Sequence, residues 1–181
     1  MAQASRGAAC RVPRLAVPAC LGGASPLGHG MAQPCSKRLQ KELAEMRSQP
    51  AEASGVTMED VSDPNQWIIT IVGAPETIYA GERFSLRFSF TGKYPFESPE
   101  VVFIGVAPVH PHIYSNGHIC LSILYDCWSP ALTVHNICLS IVSMLSSCRE
   151  KVRPQDDAVY VAKVGTRSPK LSQWHYDDDS V

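Results

Sequence analysis

The stretch RFSLRFSF, residues 83–90, decides the fold of this chain. Apolar side chains occupy every second position in it, at Phe84, Leu86, Phe88 and Phe90, and polar or charged side chains lie between them. A repeat of two residues is typical of a β-strand with one buried face and one exposed face. The sequence therefore predicts a strand at this point, in a sheet that covers a core on one side only.

Two further segments next to this stretch are typical of strands. WIITIV, residues 67–72, precedes it, and VVFI, residues 101–104, follows it after a proline-rich turn. Connections this short favour an antiparallel meander. Residues 49–65 contain two prolines and a glycine, so we predict mostly loop there.

Helical patterns precede and follow the strands in the sequence. Ser36 is a candidate N-cap for a helix from about Lys37 to Arg47, whose apolar face carries Leu39, Leu43 and Met46. After the strands, Thr133 is a candidate N-cap for a helix with apolar residues at Val134, Ile137, Ile141 and Leu145. A short last helix is predicted from Asp157 to about Val164. The order of helix, strands, loop and helices predicts an α+β domain.

The composition is that of a globular protein and excludes several classes. The chain has 181 residues, 45% of them hydrophobic, and a formal net charge of −1. This near-neutral charge gives no reason to expect nucleic acid or a membrane surface as a partner, and no apolar run approaches the length of a membrane span. Seven cysteines without any CxxC pair indicate reduced thiols in a cytoplasmic or nuclear protein.

The two ends of the chain differ from the middle. Residues 1–30 contain three arginines and no acidic residue, and their prolines disfavour a long helix. We expect a disordered N-terminal extension, with an organelle transit peptide as the alternative, and a domain over residues 31–165. Residues 166–181 are predicted to form a flexible acidic and aromatic tail, which Trp174 and Tyr176 could anchor.

Four side chains that could bind a metal or take part in catalysis lie within eleven residues: His110, His112, His118 and Cys120. Their pattern, H-x-H-x5-H-x-C, contains acceptable zinc ligands, although Pro111 restricts how the first two histidines can turn inward. A nucleophilic Cys120 with a histidine base is a second interpretation, but nothing local fixes a triad. A buried loop with a structural cysteine is a third. The residues alone leave these alternatives open.

Several separated motifs in order resemble the ubiquitin-conjugating enzymes over residues 35–164. His110-Pro111-His112 resembles the family's His-Pro-Asn, and GHICL, residues 117–121, resembles its Gly-x-Ile-Cys-Leu. YPFESP at 94–99, WSPAL at 128–132 and the basic KRLQKEL at 37–43 match further motifs. With His112 in place of the usual Asn, and with its CLSIL and tail sequences, the chain resembles the W subfamily, which is known for attaching ubiquitin to protein N-termini.

The resemblance implies a ubiquitin-conjugating (UBC) fold with a four-stranded antiparallel meander, and it implies roles for the loop residues. Cys120 would carry ubiquitin as a thioester. His112 would take the place of the Asn that supports the oxyanion or its loop, by donating a hydrogen bond or accepting a proton, or it would only brace the loop. His110 and Pro111 would be structural braces. Asp157 aligns loosely with an acidic position that orients the incoming amine, and a solvated Asp at a helix start is the alternative.

The resemblance also implies docking surfaces and partners. Phe96, Ser129, Pro130 and Ala131 would bind RING or U-box ligases. Lys37, Arg38 and Lys41 would bind the activating enzyme, whereas composition alone favours simple solvation for them. His118 is expected to be an exposed loop residue.

The expected partners are thus ubiquitin, the activating enzyme, such ligases and substrates with flexible N-termini. No metal is expected. No directly bound cofactor is expected either, since the ATP that the reaction needs is consumed by the activating enzyme. The alternatives are an ordinary lysine-directed enzyme and a non-catalytic binding module of the same fold, although such modules lack the cysteine.

Overall fold

The α+β order expected from the sequence is present in the computed structural model of the protein, which describes residues 34–49, 54–174 and 176. The elements are helix α1 (Pro34–Ser48), strands β1 (Val56–Asp63), β2 (Gln66–Val72), β3 (Arg83–Ser89) and β4 (Glu100–Ile104), and helices α2 (Val134–Ser147) and α3 (Asp157–Val164). The predictions for residues 1–30 lie outside the described residues. No helix formed by the described residues is long and apolar enough to cross a membrane.

The four strands form one antiparallel meander in the order β1-β2-β3-β4. In β3, Leu86 and Phe88 are completely buried, while Ser85, Arg87 and Ser89 are partly exposed. The alternation in the sequence therefore predicted both the strand and its buried face. Helix α2 contacts β1 and β2 and buries its apolar stripe, including Ile137 and Ile141, in the common core.

Strand β1 corrects the prediction of a loop over residues 49–65. It pairs with β2 along the edge of the sheet, but its register shifts between Met58 and Asp60 and again between Asp60 and Asp63. Such irregularities change which side chains face the core, so no alternating pattern is left in the sequence. The family resemblance, rather than the periodicity, predicted the fourth strand.

The starts of the helices agree with the sequence in two cases out of three. α2 begins after Thr133, whose side chain accepts a hydrogen bond from the amide of Asn136 at 3.2 Å, and α3 begins at Asp157 as predicted. α1 begins at Pro34, so the prediction that Ser36 is its N-cap is wrong. Proline is favoured in the first turn because its fixed φ suits the helix and it has no amide hydrogen to leave unpaired.

A charged residue, Glu42, lies on the buried face of α1 and is only 2% exposed. Its carboxylate accepts hydrogen bonds from the hydroxyl of Tyr94 and from the backbone amide of Val134, both at 2.7 Å, and from the guanidinium of Arg38. Burial first, and then the Glu42 hydrogen bond, raise the pKa of Tyr94, so this hydroxyl stays protonated and able to donate. The carboxylate thereby joins α1 to the loop before β4 and to the first turn of α2.

Gly117 fixes the loop that follows β4 against that strand. Its φ is +86°, and a Cβ atom at this position would lie 2.2 Å from the carbonyl oxygen of Phe103. The Phe103 amide in turn donates to the carbonyl of Gly117 at 2.9 Å. Only glycine permits both this conformation and this approach.

We expect Gly117→Ala to lower the free energy of unfolding by about 3 kcal/mol or more, because backbone strain and steric overlap add. Gly105→Ala is the matched control, since Gly105 also has a positive φ (+72°) but an added Cβ atom there would meet nothing within 4 Å. Urea unfolding of both variants measures the difference. Equal losses would show that the contact with Phe103 contributes nothing.

Candidate active site

Cys120 lies on a compact loop between β4 and α2. Ile113 forms isolated bridges with His110 and with Ile119, so the loop folds back on itself. The amide of Cys120 donates to the carbonyl of His112 at 2.8 Å. Both side chains are half-buried, and the loop therefore brings these two predicted site residues together.

His110 is a buried residue that bonds to two segments, and 1% of its surface is exposed. Its Nδ1 accepts a hydrogen bond from the amide of His112 at 2.9 Å. Nε2 must then carry the hydrogen, and it lies 3.2 Å from the carbonyl of Met144 in α2. Burial lowers the pKa of His110 to about 4, so the ring is neutral at physiological pH and ties the loop to α2.

His118 is buried, at 4% exposure, and the expectation of an exposed loop residue is wrong. Its Nδ1 lies 2.9 Å from the hydroxyl of Tyr160 in α3, a partner 42 residues away that local sequence could not reveal. These bonds occupy both ring nitrogens of His110 and one of His118, which argues against the zinc interpretation. Among the described residues, no group of three or more His, Cys, Asp or Glu is arranged to hold a metal ion.

The start of α3 is bound to the same loop. Asp157, the first residue of the helix, accepts a hydrogen bond from the amide of Ser115 at 2.7 Å, and Asp156 accepts one from the hydroxyl of Tyr114 at 3.0 Å. The helix-start interpretation of Asp157 thus matches its position, and the carboxylate also holds the loop. Its role in orienting an amine stays a prediction.

An aromatic cluster of Tyr114, Tyr125, Tyr160 and Trp174 lies beside Cys120. The rings of Tyr114 and Tyr160 are 4.0 Å apart, and Trp174 stacks on Tyr125 at 5.0 Å. Burial is the main cause that raises the pKa of each tyrosine, and a negative charge on Cys120 acts in the same direction. The hydroxyls therefore stay protonated, and that of Tyr125 donates to the carbonyl of Ile119, next to the cysteine, at 3.0 Å.

The segment after α3 packs onto this cluster. Pro169 is buried, and the indole of Trp174 donates to its carbonyl at 3.1 Å. The packing of Trp174 matches the anchoring role suggested for it by the sequence. Residues 175 and 177–181, part of the predicted tail, lie outside the described residues. A cavity of about 460 Å³ opens beside the cluster, lined by Tyr125, Asp126, Lys170, Ser172, Gln173 and Trp174.

The four predicted ligase-binding residues lie on two loops that touch each other. Phe96 is 78% exposed, and Ser129, Pro130 and Ala131 are exposed as well. The indole of Trp128 donates to the carbonyl of Pro95 at 2.9 Å and so joins the two loops. An exposed aromatic ring beside a proline is typical of a docking surface.

The three basic residues of α1 differ in their surroundings. Lys37 and Lys41 are exposed. Arg38 is half-buried, and besides Glu42 its guanidinium donates to the carbonyl of Leu132 at 3.0 Å. Two of the three residues predicted to bind the activating enzyme, Lys37 and Lys41, are thus exposed, and the third, Arg38, also supports the loop before α2.

Comparison with known proteins identifies the family of this chain. The family model for ubiquitin-conjugating enzymes matches residues 38–171. The chain belongs to the ubiquitin-conjugating enzymes. A probable ubiquitin-conjugating enzyme E2 W of Dictyostelium discoideum is 56% identical over 146 residues, which cover 81% of this chain and 97% of that protein.

Two further relatives agree on subfamily and fold. The ubiquitin-conjugating enzyme E2 W of Caenorhabditis elegans is 52% identical over 83% of this chain and 100% of its own length. The crystal structure of a ubiquitin-conjugating enzyme from Agrocybe aegerita superposes with a TM-score of 0.71 at 42% identity, over 75% of this chain and 99% of that one. The expected W subfamily and UBC fold are confirmed.

The sequence motifs of this ubiquitin-conjugating enzyme did not reveal Glu42, which supports, through Tyr94 and Val134, the two loops that carry the predicted ligase-binding residues. A signal was present, because Glu42 is three residues after Leu39 and four before Met46, on the apolar face of α1. A charge at such a position needs buried partners. Which partners they are could not be known before the fold.

We expect the free energy of unfolding to fall as the pH is lowered from about 6.5 to about 4, by up to about 1.4 kcal/mol per pH unit from His110 alone. The folded pKa of His110 is about 4, below the unfolded value, so the unfolded chain binds the extra proton in this range. Urea unfolding at several pH values, for wild type and His110→Asn, measures the effect.

The variant is expected to show a shallower pH dependence. Some dependence should remain, because burial also lowers the pKa of His118. Identical slopes for the two proteins would contradict the assignment of this effect to His110.

Proposed function

We propose that Cys120 accepts ubiquitin from the activating enzyme as a thioester and passes it to the α-amino group of protein N-termini. ATP is consumed by the activating enzyme, and this chain needs no cofactor of its own. RING or U-box ligases dock at Phe96 and at Ser129–Ala131. A location in the cytoplasm or nucleus is part of the same proposal.

The observation that carries this proposal is the bond between the Cys120 amide and the His112 carbonyl at 2.8 Å. It brings the backbone of Cys120, whose thiol is half-buried, against the histidine that stands where the family motif has Asn. A thiol suits this chemistry, since it attacks as a thiolate and leaves again when an amine adds. The arrangement favours an enzyme over a binding module, because the reactive group lies on a loop held by many bonds.

The chemistry of the amine supports the choice of N-termini. An α-amine has an unperturbed pKa of about 7.7–8.0, against about 10.4 for lysine. Near neutral pH roughly a tenth or more of α-amines are uncharged, but fewer than about one lysine in a thousand. An enzyme that acts on α-amines therefore needs less help in deprotonating its nucleophile, and the loss of the usual Asn is easier to tolerate.

The activating enzyme and the ligases are expected to compete, since the surfaces that they would use on this chain overlap. The activating enzyme would bind Lys37, Lys41 and Arg38 on α1, and Arg38 also contacts the loop that carries Ser129–Ala131 through Leu132. The family resemblance implies that ligases use this helix as well. Binding of the two partners is therefore expected to be mutually exclusive.

We expect wild type, incubated with activating enzyme, ATP and ubiquitin, to form an adduct that a reducing agent removes, and Cys120→Ala to form none. The loaded enzyme should then lose ubiquitin to a peptide with an unblocked, flexible N-terminus, but not to lysine. Gel analysis with and without reductant measures both steps.

The control is the same peptide with an acetylated N-terminus and an internal lysine. Discharge to the acetylated peptide would favour the ordinary lysine-directed enzyme. Absence of any adduct in wild type would contradict the enzyme function itself.

We expect Phe96→Ala to abolish stimulation of discharge by a RING ligase and to leave loading and unstimulated discharge unchanged. The ring is exposed, so its removal takes away contact area without disturbing the core. Val106→Ala is the matched control, because Val106 is 86% exposed but lies outside both loops. Equal stimulation of the Phe96 variant and wild type would exclude this docking site.

A further inference from the structure

Arg153 lies in the extended segment before α3, and its guanidinium donates to three backbone carbonyls. Nη1 is 2.6 Å from the oxygen of Pro108 and 3.0 Å from that of Ile113, and Nη2 is 3.0 Å from that of Ala107. These acceptors lie on both sides of the His110-Pro111-His112 turn. One side chain thus closes the two ends of the turn together, and the planar, forked donor group of arginine suits several acceptors at once.

The carbonyls between these points are also bonded. The hydroxyl of Tyr79 donates to the oxygen of Val109 at 2.5 Å, the amide of Ile113 donates to that of His110 at 3.0 Å, and the amide of Cys120 donates to that of His112 at 2.8 Å. With the three bonds from Arg153, the backbone acceptors around His112 are almost all engaged. Arg153 and Tyr79 are the two members of this set that reach the turn from distant segments, and only Arg153 bonds on both sides of it.

The position of His112 relative to Cys120 depends on this turn. The carbonyl of His112 accepts a hydrogen bond from the amide of Cys120, and the amide of His112 donates one to the ring of His110. If the ends of the turn separate, the backbone of His112 moves relative to the thiol of Cys120. Reaction rates are sensitive to such shifts, because the amine, the carbonyl carbon and the groups that support the oxyanion must be aligned.

We propose that Arg153 is a positioning residue, which holds the His110–His112 turn against Cys120 and so sets the rate at which the thioester reacts with an amine. The inference rests on the proposed function, since it requires ubiquitin on Cys120. The segment that carries Arg153 thereby supplies, through backbone contacts, a rigidity that does not depend on the side chain at position 112. Loading of Cys120 by the activating enzyme needs less of this alignment, because the attacking group is the thiol itself.

The test separates loading from discharge in the full-length enzyme. Each protein is loaded with ubiquitin, ATP is removed, and discharge to a peptide with an unblocked N-terminus is followed at increasing peptide concentration. Arg153→Met keeps an unbranched apolar stem but removes the charge and the donors, and Arg153→Lys keeps the charge but not the fork. Arg149→Met makes the same charge change at an exposed position of the same segment.

We expect Arg153→Met to lower the maximal discharge rate about tenfold, less than the roughly hundredfold cost of a 1 Å displacement of a reacting group. The half-saturating peptide concentration and the extent of loading should not change. Arg153→Lys should lie between this variant and wild type, and Arg149→Met should match wild type. A merely structural role would lower loading and discharge together.

The outcomes are distinguishable. If wild type forms no thioester, the proposed function fails and the role of Arg153 fails with it. If wild type discharges and Arg153→Met discharges at the same rate, only the inference about Arg153 is overturned. If Arg153→Met does not fold, Arg153→Lys decides, and a rate equal to wild type overturns the proposal.

Discussion

The buried carboxylate of Glu42 is the constraint on which the packing of α1 against the loop before β4 and against the start of α2 depends. A charge that is 2% exposed is costly unless donors compensate it, and three donors do so, each from a different residue: Arg38, Tyr94 and Val134. The last of these is the start of α2, where the helix dipole favours negative charge. Because the donors come from separate parts of the chain, those parts can only take their places together.

The loop that carries Cys120 is built on a related principle, in which polar groups are satisfied by residues far away in sequence. His110 connects it to α2, Asp157 and Tyr160 connect it to α3, and Arg153 closes the ends of its His110–His112 turn. Such a loop can present a reactive thiol near its surface without collapsing, since few of its own polar groups are left to form alternative bonds. Rigidity of this kind is what a site for acyl transfer requires.

Sequence patterns predicted the strands β2, β3 and β4 and the helices, and the buried residues repeat most regularly in β3 and α2. They failed at β1, where two register shifts remove the alternation, and at His118, whose burial depends on Tyr160 in another element. The motifs located Cys120 and the two loops predicted to bind ligases through their resemblance to a family. The contacts of Arg153 could not be foreseen, because nothing in a local sequence shows which distant carbonyls a guanidinium will reach.

The bond between Trp128 and Pro95 has a consequence for protein engineering. If ligases dock where we propose, a designer who wishes to change ligase choice would exchange the two exposed loops for those of another conjugating enzyme. Their shape, however, is held from beneath by Trp128 and by the Glu42 network, which includes a residue of the helix that precedes the sheet. A transplant of surface residues alone would carry the recognition chemistry but lose its spacing, so the smallest exchangeable unit comprises both loops together with Glu42 and Arg38.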